Sequence, residues 1–430
     1  MWTPIDTVQG ISNTNYHYAA SNAFNESESF RVSAIDSCLN DGLQSVEHNT
    51  IFLQNYLDVC TGENTLNWNE YGIWPSGVLE YEVFFTENGG PTTLLGTLPN
   101  GTTSIVHNNL IQFSTYCYYI RAYDVSGSRS STSNQLCVFA DIPLWPNFEY
   151  LNNATVALNS QVDISCFTDI TADIIEFRIE RATQPAGPFT IVGNVPANAV
   201  NPLINFTDFT ALFNQQSYYY QYIAVDSCGT DAYTSNLGRT IFLSATANNN
   251  YTNTLNWNNY IDWDAGVDSY NIFRNIDGLW DPFPIGTLPL GTVSFTDDIS
   301  NNLNGYGDFC YKIEAIESSG NTYGLKDTSR SNIACVKQFP VIHIPNAFAP
   351  QGINQIFKPE SVFINPSLYK FIIFNRWGEK VFETTDINSG WDGTRKNGKL
   401  AQQGVYVYII EFSSNDGEKT SRKGIVTLVR

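Results

Sequence analysis

Hydrophobic residues alternate with polar residues in short runs along this chain and do not recur at helical spacing. Runs such as YEVFF (81–85), FRIER (177–181) and YVYIIEF (406–412) are flanked by glycine, asparagine or proline. Alternation with a period of two is typical of β-strands, and no window of 11 or more residues carries an apolar stripe of helical period. The pattern therefore predicts an all-β chain.

One strand motif recurs four times. In each copy an aromatic residue, an apolar residue and an alanine occupy every second position of a strand. An acidic residue and a turn follow. The copies are about 90 to 100 residues apart, which is the length of one β-sandwich domain. The sequence therefore predicts tandem repeats. The four acidic residues are Asp36, Asp124, Asp226 and Glu317.

A second motif, TLNWN, precedes a tyrosine-rich strand at residues 65–69 and again at 254–258. The order of these elements resembles the fibronectin type III domain over residues 1–340. The resemblance implies that Trp68 and Trp257 are the buried tryptophans of the second strand, and that the aromatic-alanine strand is the sixth. It predicts tandem fibronectin type III or Ig-like β-sandwiches. The expected units are 1–53, which holds only the last strands of a domain, 54–140, 141–243 and 244–340.

The pattern changes after residue 340. Residues 341–430 carry the ordered motifs IPNAFAP, FNRWGEKVF, SGWDGT, GVYVYIIEF and KGIVTLVR. This segment resembles the gliding-motility-associated C-terminal domain, the type B sorting domain of the Bacteroidetes type IX secretion system. Alternation and turn residues predict a sandwich of about seven strands, with a hairpin turn at 375–378. The motif residues are Pro345, Asn346, Phe348, Asn375, Arg376, Trp377, Gly378, Trp391, Asp392, Gly393, Gly404, Tyr406, Gly424 and Arg430.

Composition and charge set the two parts of the chain apart. The chain has 430 residues, of which 42% are hydrophobic and 15% charged, and its net charge is −20. Residues 341–430 contain 11 basic and 8 acidic residues, whereas residues 1–340 contain 11 basic and 34 acidic residues. The negative net charge argues against nucleic-acid binding, and so does the lack of basic patches interleaved with aromatic residues. We expect an acidic stalk and a basic terminal domain that is drawn to anionic lipid headgroups or to an acidic receptor.

The eight cysteines predict disulfides rather than metal sites. None is in CxxC spacing or near a histidine cluster, which favours an oxidising compartment. Within the fibronectin-like arrangement, three pairs lie on neighbouring strands or at the same pole of a sandwich. The partners of Cys38 and Cys60 stay open. The predicted pairs are Cys117 with Cys137, Cys166 with Cys228, and Cys310 with Cys335.

No catalytic or metal-binding constellation is found in the sequence. The four histidines are scattered, and no HExxH, GxSxG, P-loop or GxGxxG pattern is present. Asp297 and Asp298 form a carboxylate pair, but their place before the sixth strand favours a turn. Trp74 and Trp263 lie in equivalent loops, where a repeated tryptophan more often covers a sandwich edge than stacks on a sugar. We therefore expect no enzyme active site, no metal and no cofactor.

Export is expected although the sequence begins without an export signal. The first residues lack a basic and apolar leader, and no window is apolar enough for a membrane span. We therefore expect residue 1 to lie inside a longer protein. The leading hypothesis is the C-terminal part of a surface adhesin, with the repeats as a stalk. The alternatives are the tail of a secreted hydrolase and a carbohydrate-binding array that takes surface glycans.

The resemblance to sorting domains also implies partners and a location. It suggests an outer-membrane β-barrel of the PorP/SprF type as receptor, with a PorV-type shuttle and the type IX translocon as further partners. It places the protein outside the cell, attached to the outer membrane. The contact is assigned to six basic residues, which could instead be solvated turn residues. They are Arg376, Arg395, Lys396, Lys399, Arg422 and Lys423.

Overall fold

The computed structural model describes residues 2–157, 160–303, 305–413 and 418–430. These residues form β-strands and turns without a helix, which confirms the all-β prediction. The described part of the chain thus has no helix long and apolar enough to cross a membrane. The chain divides into two compact units, Met1–Trp145 and Pro146–Arg430.

The N-terminal segment forms two small pairs of strands, β1 with β4 and β2 with β3. Its strands are β1 Ser29–Phe30, β2 Ser33–Ile35, β3 Asp41–Gln44 and β4 His48–Asn49. Asp36 lies in the turn after β2, where its carboxylate accepts hydrogen bonds from the N–H groups of Cys38 and Asn40 at 2.8 and 2.9 Å. This hairpin therefore carries the acid-and-turn motif.

The first sandwich follows in the same unit. Its strands are β5 Leu53–Asp58, β6 Glu63–Trp68, β7 Val78–Glu87, β8 Thr93–Pro99, β9 Ser104–His107, β10 Ser114–Asp124, β11 Ser130–Thr132 and β12 Leu136–Ala140. One sheet has the order β5-β6-β9, and the other has the order β11-β10-β7-β8 with β12 also paired to β10. Every second residue of β10 points into the core. Ile51 and Leu53 are also buried there, so the core begins slightly before residue 54.

The second sandwich repeats this topology at the start of the second unit. Its strands are β13 Glu149–Ala157, β14 Gln161–Thr168, β15 Ile174–Ala182, β16 Thr190–Pro196, β17 Leu203–Asp208, β18 Tyr219–Asp226, β19 Asp231–Thr234 and β20 Gly238–Arg239. The sheets are β13-β14-β17 and β16-β15-β18-β19, with β20 on β18.

The third sandwich has the same arrangement with one extra short strand. Its strands are β21 Leu243–Asn248, β22 Thr252–Trp257, β23 Val267–Ile276, β24 Leu279–Trp280, β25 Gly286–Pro289, β26 Ser294–Asp298, β27 Asp308–Glu317, β28 Thr328–Arg330 and β29 Ala334–Lys337. The sheets are β21-β22-β26 and β24-β23-β27-β28, with β25 on β23 and β29 on β27.

The terminal domain has seven strands within the described residues, as predicted. They are β30 Val341–His343, β31 Ala347–Phe348, β32 Glu360–Val362, β33 Asn365–Phe374, β34 Lys380–Thr384, β35 Gly404–Ser413 and β36 Lys419–Leu428. The main sheet has the order β31-β36-β35-β33-β34, and β30 pairs with β32.

The recurring residues occupy the places that the fibronectin-like pattern predicts. Trp68 and Trp257 end the second strand of their sandwiches, and each is 6% exposed. Each packs against a tyrosine of the facing sheet, with ring centroids 5.8 and 5.9 Å apart. The recurring acid Asp226 accepts hydrogen bonds from two turn N–H groups, as Asp36 does. These acids therefore hold the turn after the long strand.

Two of the predicted disulfides are confirmed. Cys117 and Cys137 face each other on β10 and β12, and Cys310 and Cys335 do so on β27 and β29. Both bonds lie between directly paired antiparallel strands, on the side of the sheet away from the core. Cys38 is an exposed free thiol.

The predicted bond between Cys166 and Cys228 is wrong. Cys166 is a buried free thiol, whereas Cys228 takes part in a disulfide. Val162, Ile164 and Cys166 alternate along β14 and are all buried. The Cys166 side chain therefore points into the core of the second sandwich.

Removing the Cys117–Cys137 bond with C117A/C137A is expected to lower the free energy of unfolding of the first sandwich by about 2–4 kcal/mol. The bond closes a loop whose ends are 20 residues apart, and losing it restores conformational entropy to the unfolded chain. Urea unfolding with amide exchange on β10 peptides measures the change. Cys38→Ser is the control and should leave stability unaltered, so an equal loss in that variant would contradict the account.

Candidate functional site

The last strand of the terminal domain is built into the sheet on both sides. It pairs with β35 over ten residues, and its C-terminal end pairs in parallel with β31. The N–H of Thr427 donates to the carbonyl of Asn346 at 3.0 Å, and the N–H of Val429 donates to that of Phe348 at 2.9 Å. Arg430 Nη2 donates to the carbonyl of Ala401 at 2.6 Å. The beginning and the end of the domain are therefore joined.

Trp391 is the centre of this junction. Its side chain is 1% exposed, and its ring lies 5.3 Å from that of Phe348 and 4.7 Å from that of Tyr406. The indole N–H donates to the carbonyl of Thr394 at 2.6 Å. The ring thus packs the start of the domain against the beginning of β35.

Two motif glycines are required by close approach. Gly393 has φ +78°, and a Cβ there would lie 2.7 Å from Pro350 Cγ. At Gly424 a Cβ would overlap the Tyr408 ring. Asp392 caps the same turn as Gly393, because its carboxylate accepts the N–H of Thr394 at 2.9 Å. These motif residues therefore maintain the fold.

Trp377 behaves differently from Trp391. It sits in the turn between β33 and β34 and is 80% exposed. The turn is well formed, because Asn375 Oδ1 accepts the N–H groups of Trp377 and Glu379 at 2.9 and 3.0 Å. Arg376 lies over the indole ring, 5.0 Å from its centroid. A rigid turn thus presents an aromatic side chain and a cation to solvent.

The six basic residues assigned to a partner do not form one patch. Arg376 and Arg395 lie at one end of the domain, near Tyr406. Burial raises the pKa of Tyr406, and the nearby Arg395, Arg430 and Arg376 guanidiniums oppose this rise. Lys396 and Lys399 belong to the same loop as Arg395. This loop is closed by a hydrogen bond from the N–H of Arg395 to the carbonyl of Lys399.

Arg422 and Lys423 lie farther along β36. The residue of β36 that pairs with Tyr406 is Val426, so Arg422 and Lys423 are about 10–14 Å from that row along the strand. They also point to opposite faces of the sheet. Arg430 lies near Tyr406 together with Arg376 and Arg395. The sequence alone did not indicate this position of Arg430.

Residues 342–428 match the model of the CHU_C Type IX secretion signal domain. The matched range contains nearly all of β30 to β36 and the motif residues from Pro345 to Gly424. The match confirms the type IX secretion signal predicted from the motifs. It implies export from the cell and interaction with the type IX secretion machinery. No curated protein matches the chain in sequence.

Two solved structures align with part of the chain at low identity. One is the chicken CNTN1 FN1-FN3 domains, with 11% identity and a TM-score of 0.24 over 67% of this chain and 97% of that chain. The other is a tetra-tandem repeat in the extending region of a large adhesion protein, with 12% identity and a TM-score of 0.24 over 88% of this chain and 99% of that chain.

Trp263 joins the second and third sandwiches. It is 5% exposed, its indole N–H donates to the carbonyl of Asn152 at 2.6 Å, and its ring lies 4.0 Å from that of Tyr260. The N–H of Ala154 donates to the Tyr260 hydroxyl at 3.0 Å. Trp74, in the equivalent loop of the first sandwich, is 8% exposed. Neither tryptophan is therefore free to stack on a sugar, as expected for edge-covering residues.

A similar joint connects the third sandwich to the terminal domain. Phe363 follows β32 but belongs to the hydrophobic core of the third sandwich. It is 2% exposed, and its ring stands perpendicular to that of Phe309, with centroids 6.0 Å apart. A Cβ at Gly307 would lie 3.0 Å from Phe363 Cβ. The sequence pattern did not indicate this insertion.

The carboxylates before the sixth strands have structural partners. Asp297 accepts hydrogen bonds from the Tyr311 hydroxyl at 2.8 Å and from Arg274 at 3.0 Å. Asp208 accepts from the Tyr220 hydroxyl at 2.9 Å in the same way. Across the described ranges, no group of three or more His, Cys, Asp or Glu residues is placed to hold a metal ion.

Glu149 is a buried carboxyl group in the second sandwich. It is 4% exposed, and burial raises its pKa to about 7 although the Thr168 hydroxyl and the Cys166 thiol donate to it. In the folded state the protonated Glu149 carboxyl group is therefore favoured below about pH 7. Its stabilising contribution is fully present below about pH 4.5, the pKa expected in the unfolded chain, and is lost as the pH rises through about 7.

We therefore expect the second sandwich to lose about 3 kcal/mol of stability from this group between pH 4.5 and pH 8. Glu149→Gln should abolish that part of the pH dependence. Amide exchange of β13 and β14 peptides, measured across this pH range after correction for intrinsic exchange rates, tests it. Cys166→Ala is the matched control, because it removes a donor but keeps the buried carboxyl, and its pH dependence should persist.

Proposed function

We propose that this chain is the C-terminal stalk and secretion module of a surface-exposed adhesin, and that it is not an enzyme. The observation that carries the proposal is the packing of the second and third sandwiches and the type IX secretion signal domain on one another. Trp263 links the second and third sandwiches, and Phe363 links the third sandwich to the terminal domain. Sandwiches packed on one another in this way are suited to a spacer role next to the exported domain.

The distribution of charge supports the stalk and anchoring roles. Residues 1–340 carry 11 basic and 34 acidic residues, so neighbouring stalks and an anionic cell surface repel them. The terminal domain has a net positive charge, which favours an acidic receptor. In this proposal the receptor is an outer-membrane β-barrel of the PorP/SprF type, and a PorV-type shuttle is the alternative. The repeats 54–140, 141–243 and 244–340 are the spacers.

Export and attachment are tested with a periplasm-directed reporter fused before residue 1 of the whole chain. In cells with the type IX system, added protease should remove the reporter from intact cells, and the protein should sediment with the outer membrane. The same fusion should stay inside cells that lack the translocon, and deletion of residues 419–430 should have the same effect. Release of the reporter into the medium would contradict attachment, and export without the translocon would contradict the secretion role.

A further inference from the structure

One face of the main sheet of the terminal domain is apolar although it lies outside the core. Phe374, Val407 and Ile425 are paired in one row across β33, β35 and β36. Val407 is 41% and Ile425 is 62% exposed, and Val405, in the next row, is 51% exposed. We call the surface formed by Phe374, Val405, Val407 and Ile425 the terminal face.

The core of the domain does not account for these side chains. The residues on the opposite side of the same strands, including Ile373, Tyr406 and Val426, fill the core. A sheet with one solvated face normally alternates apolar residues inside with polar residues outside. β27 of the third sandwich follows this rule, because its outward residues Lys312 and Glu314 form an ion pair. β35 instead has apolar residues on both faces, which is typical of a sheet covered on both sides.

The charges around the terminal face are uneven. At the β34 edge, Lys370 and Lys380 share Glu383 as an ion-pair partner. In the row next to Ile425, Lys423 has no ion-pair partner among the described residues. Arg376 lies over the Trp377 ring in the turn after Phe374. Glu411 lies one row beyond Lys423, beside Lys370. Lys423 on β36 therefore offers an uncompensated positive charge beside the apolar row, and Arg376 extends from the turn at the β33–β34 end of the face.

We infer that the terminal face docks onto a protein of the export machinery through an apolar surface with an acidic rim. Burial of the row of apolar side chains would supply the affinity, and Lys423 and Arg376 would meet the acidic rim. The terminal domain of a second copy is the less suitable occupant, because residues 341–430 carry 11 basic and 8 acidic residues and two such domains repel each other. This inference rests on the proposed secretion function and specifies the surface that serves it.

The test uses full-length chains with the reporter in cells that have the type IX system. The face variant is V407T/I425T/K423E, which keeps β-branched residues in the strands at both apolar positions. The matched control is I353T/L400T, which changes two other exposed apolar side chains of the same domain, 106% and 56% exposed. Thermal unfolding of the purified chains must first show that both variants fold as the parent does.

We expect export of the face variant to fall by about tenfold or more, as for the loss of central interface residues, and export of the control to stay at the parent level. A photocrosslinker at position 425, but not at position 353, should join the chain to a translocon or receptor protein identified by mass spectrometry. Parent-level export of a folded face variant would overturn this inference. If export of the parent still depended on the translocon, the proposed secretion function would stand. A dimer of the parent in sedimentation that the face variant abolishes would assign the face to a second copy and would also overturn it.

Discussion

Replacing Trp263 with alanine is expected to lower the free energy of unfolding of the third sandwich by about 3–5 kcal/mol. The indole is buried between the second and third sandwiches, and its N–H group donates to the Asn152 carbonyl. Truncation leaves a cavity beside Tyr260 and removes the donor from a buried carbonyl. The edge of β13 should lose protection at the same time, because Ala154 is held by the Tyr260 hydroxyl.

Urea unfolding of the full chain, followed by amide exchange of peptides from β13 and from the 260–267 loop, measures both effects. Trp377→Ala is the control, because that indole is 80% exposed and its removal should change stability by less than about 0.5 kcal/mol. Unchanged exchange at β13 in the Trp263 variant would show that the two sandwiches are not coupled through this residue.

The regular features of the fold could be predicted because they depend on neighbours along one strand. Alternation in β10 gives its buried face directly, and Trp68 ends the strand that the TLNWN motif predicts. The Asn375 turn was predictable for the same reason, since a turn is defined by four adjacent residues. The disulfides between paired strands followed once those strands were placed.

The wrong cysteine pair shows where such reasoning fails. A shared pole of the sandwich suggests pairing of Cys166 with Cys228, but the direction of the Cys166 side chain excludes it. The alternation of Val162, Ile164 and Cys166 already places the thiol in the core. The alternation of buried residues along β14 therefore predicts the position of the thiol better than the proximity of two loops does.

Contacts between domains left no such signal in the sequence. Trp263 and Trp74 have the same local pattern, yet the Trp263 indole bonds to a carbonyl more than 100 residues earlier in the chain. Trp377 and Trp391 are both motif tryptophans, but one is exposed and the other buried. Burial depends on what packs against a residue from distant parts of the chain, so the motif alone could not separate a fold-maintaining tryptophan from an exposed one.

The boundary between the stalk and the terminal domain has an experimental consequence. Phe363 lies within the segment matched by the secretion signal domain, although its ring completes the core of the third sandwich. A fragment that starts at residue 341 would therefore expose this ring, and a fragment that ends at residue 340 would lack part of its core. Export assays on the whole chain avoid that ambiguity.

Phe363→Ala is accordingly expected to lower the free energy of unfolding of the third sandwich by about 3–5 kcal/mol, because a buried aromatic side chain leaves a cavity beside Phe309 and Tyr251. The native φ of +58° at this residue is unfavourable for an aromatic side chain, which indicates that packing holds it in place. Amide exchange of β27 peptides in the full chain measures the loss. Phe339→Ala is the matched control, since that ring is 68% exposed in the segment between the two domains. If the Phe363 variant speeds exchange only in β33 to β36 and leaves β27 protected, the ring belongs energetically to the terminal domain and the joint does not couple the two.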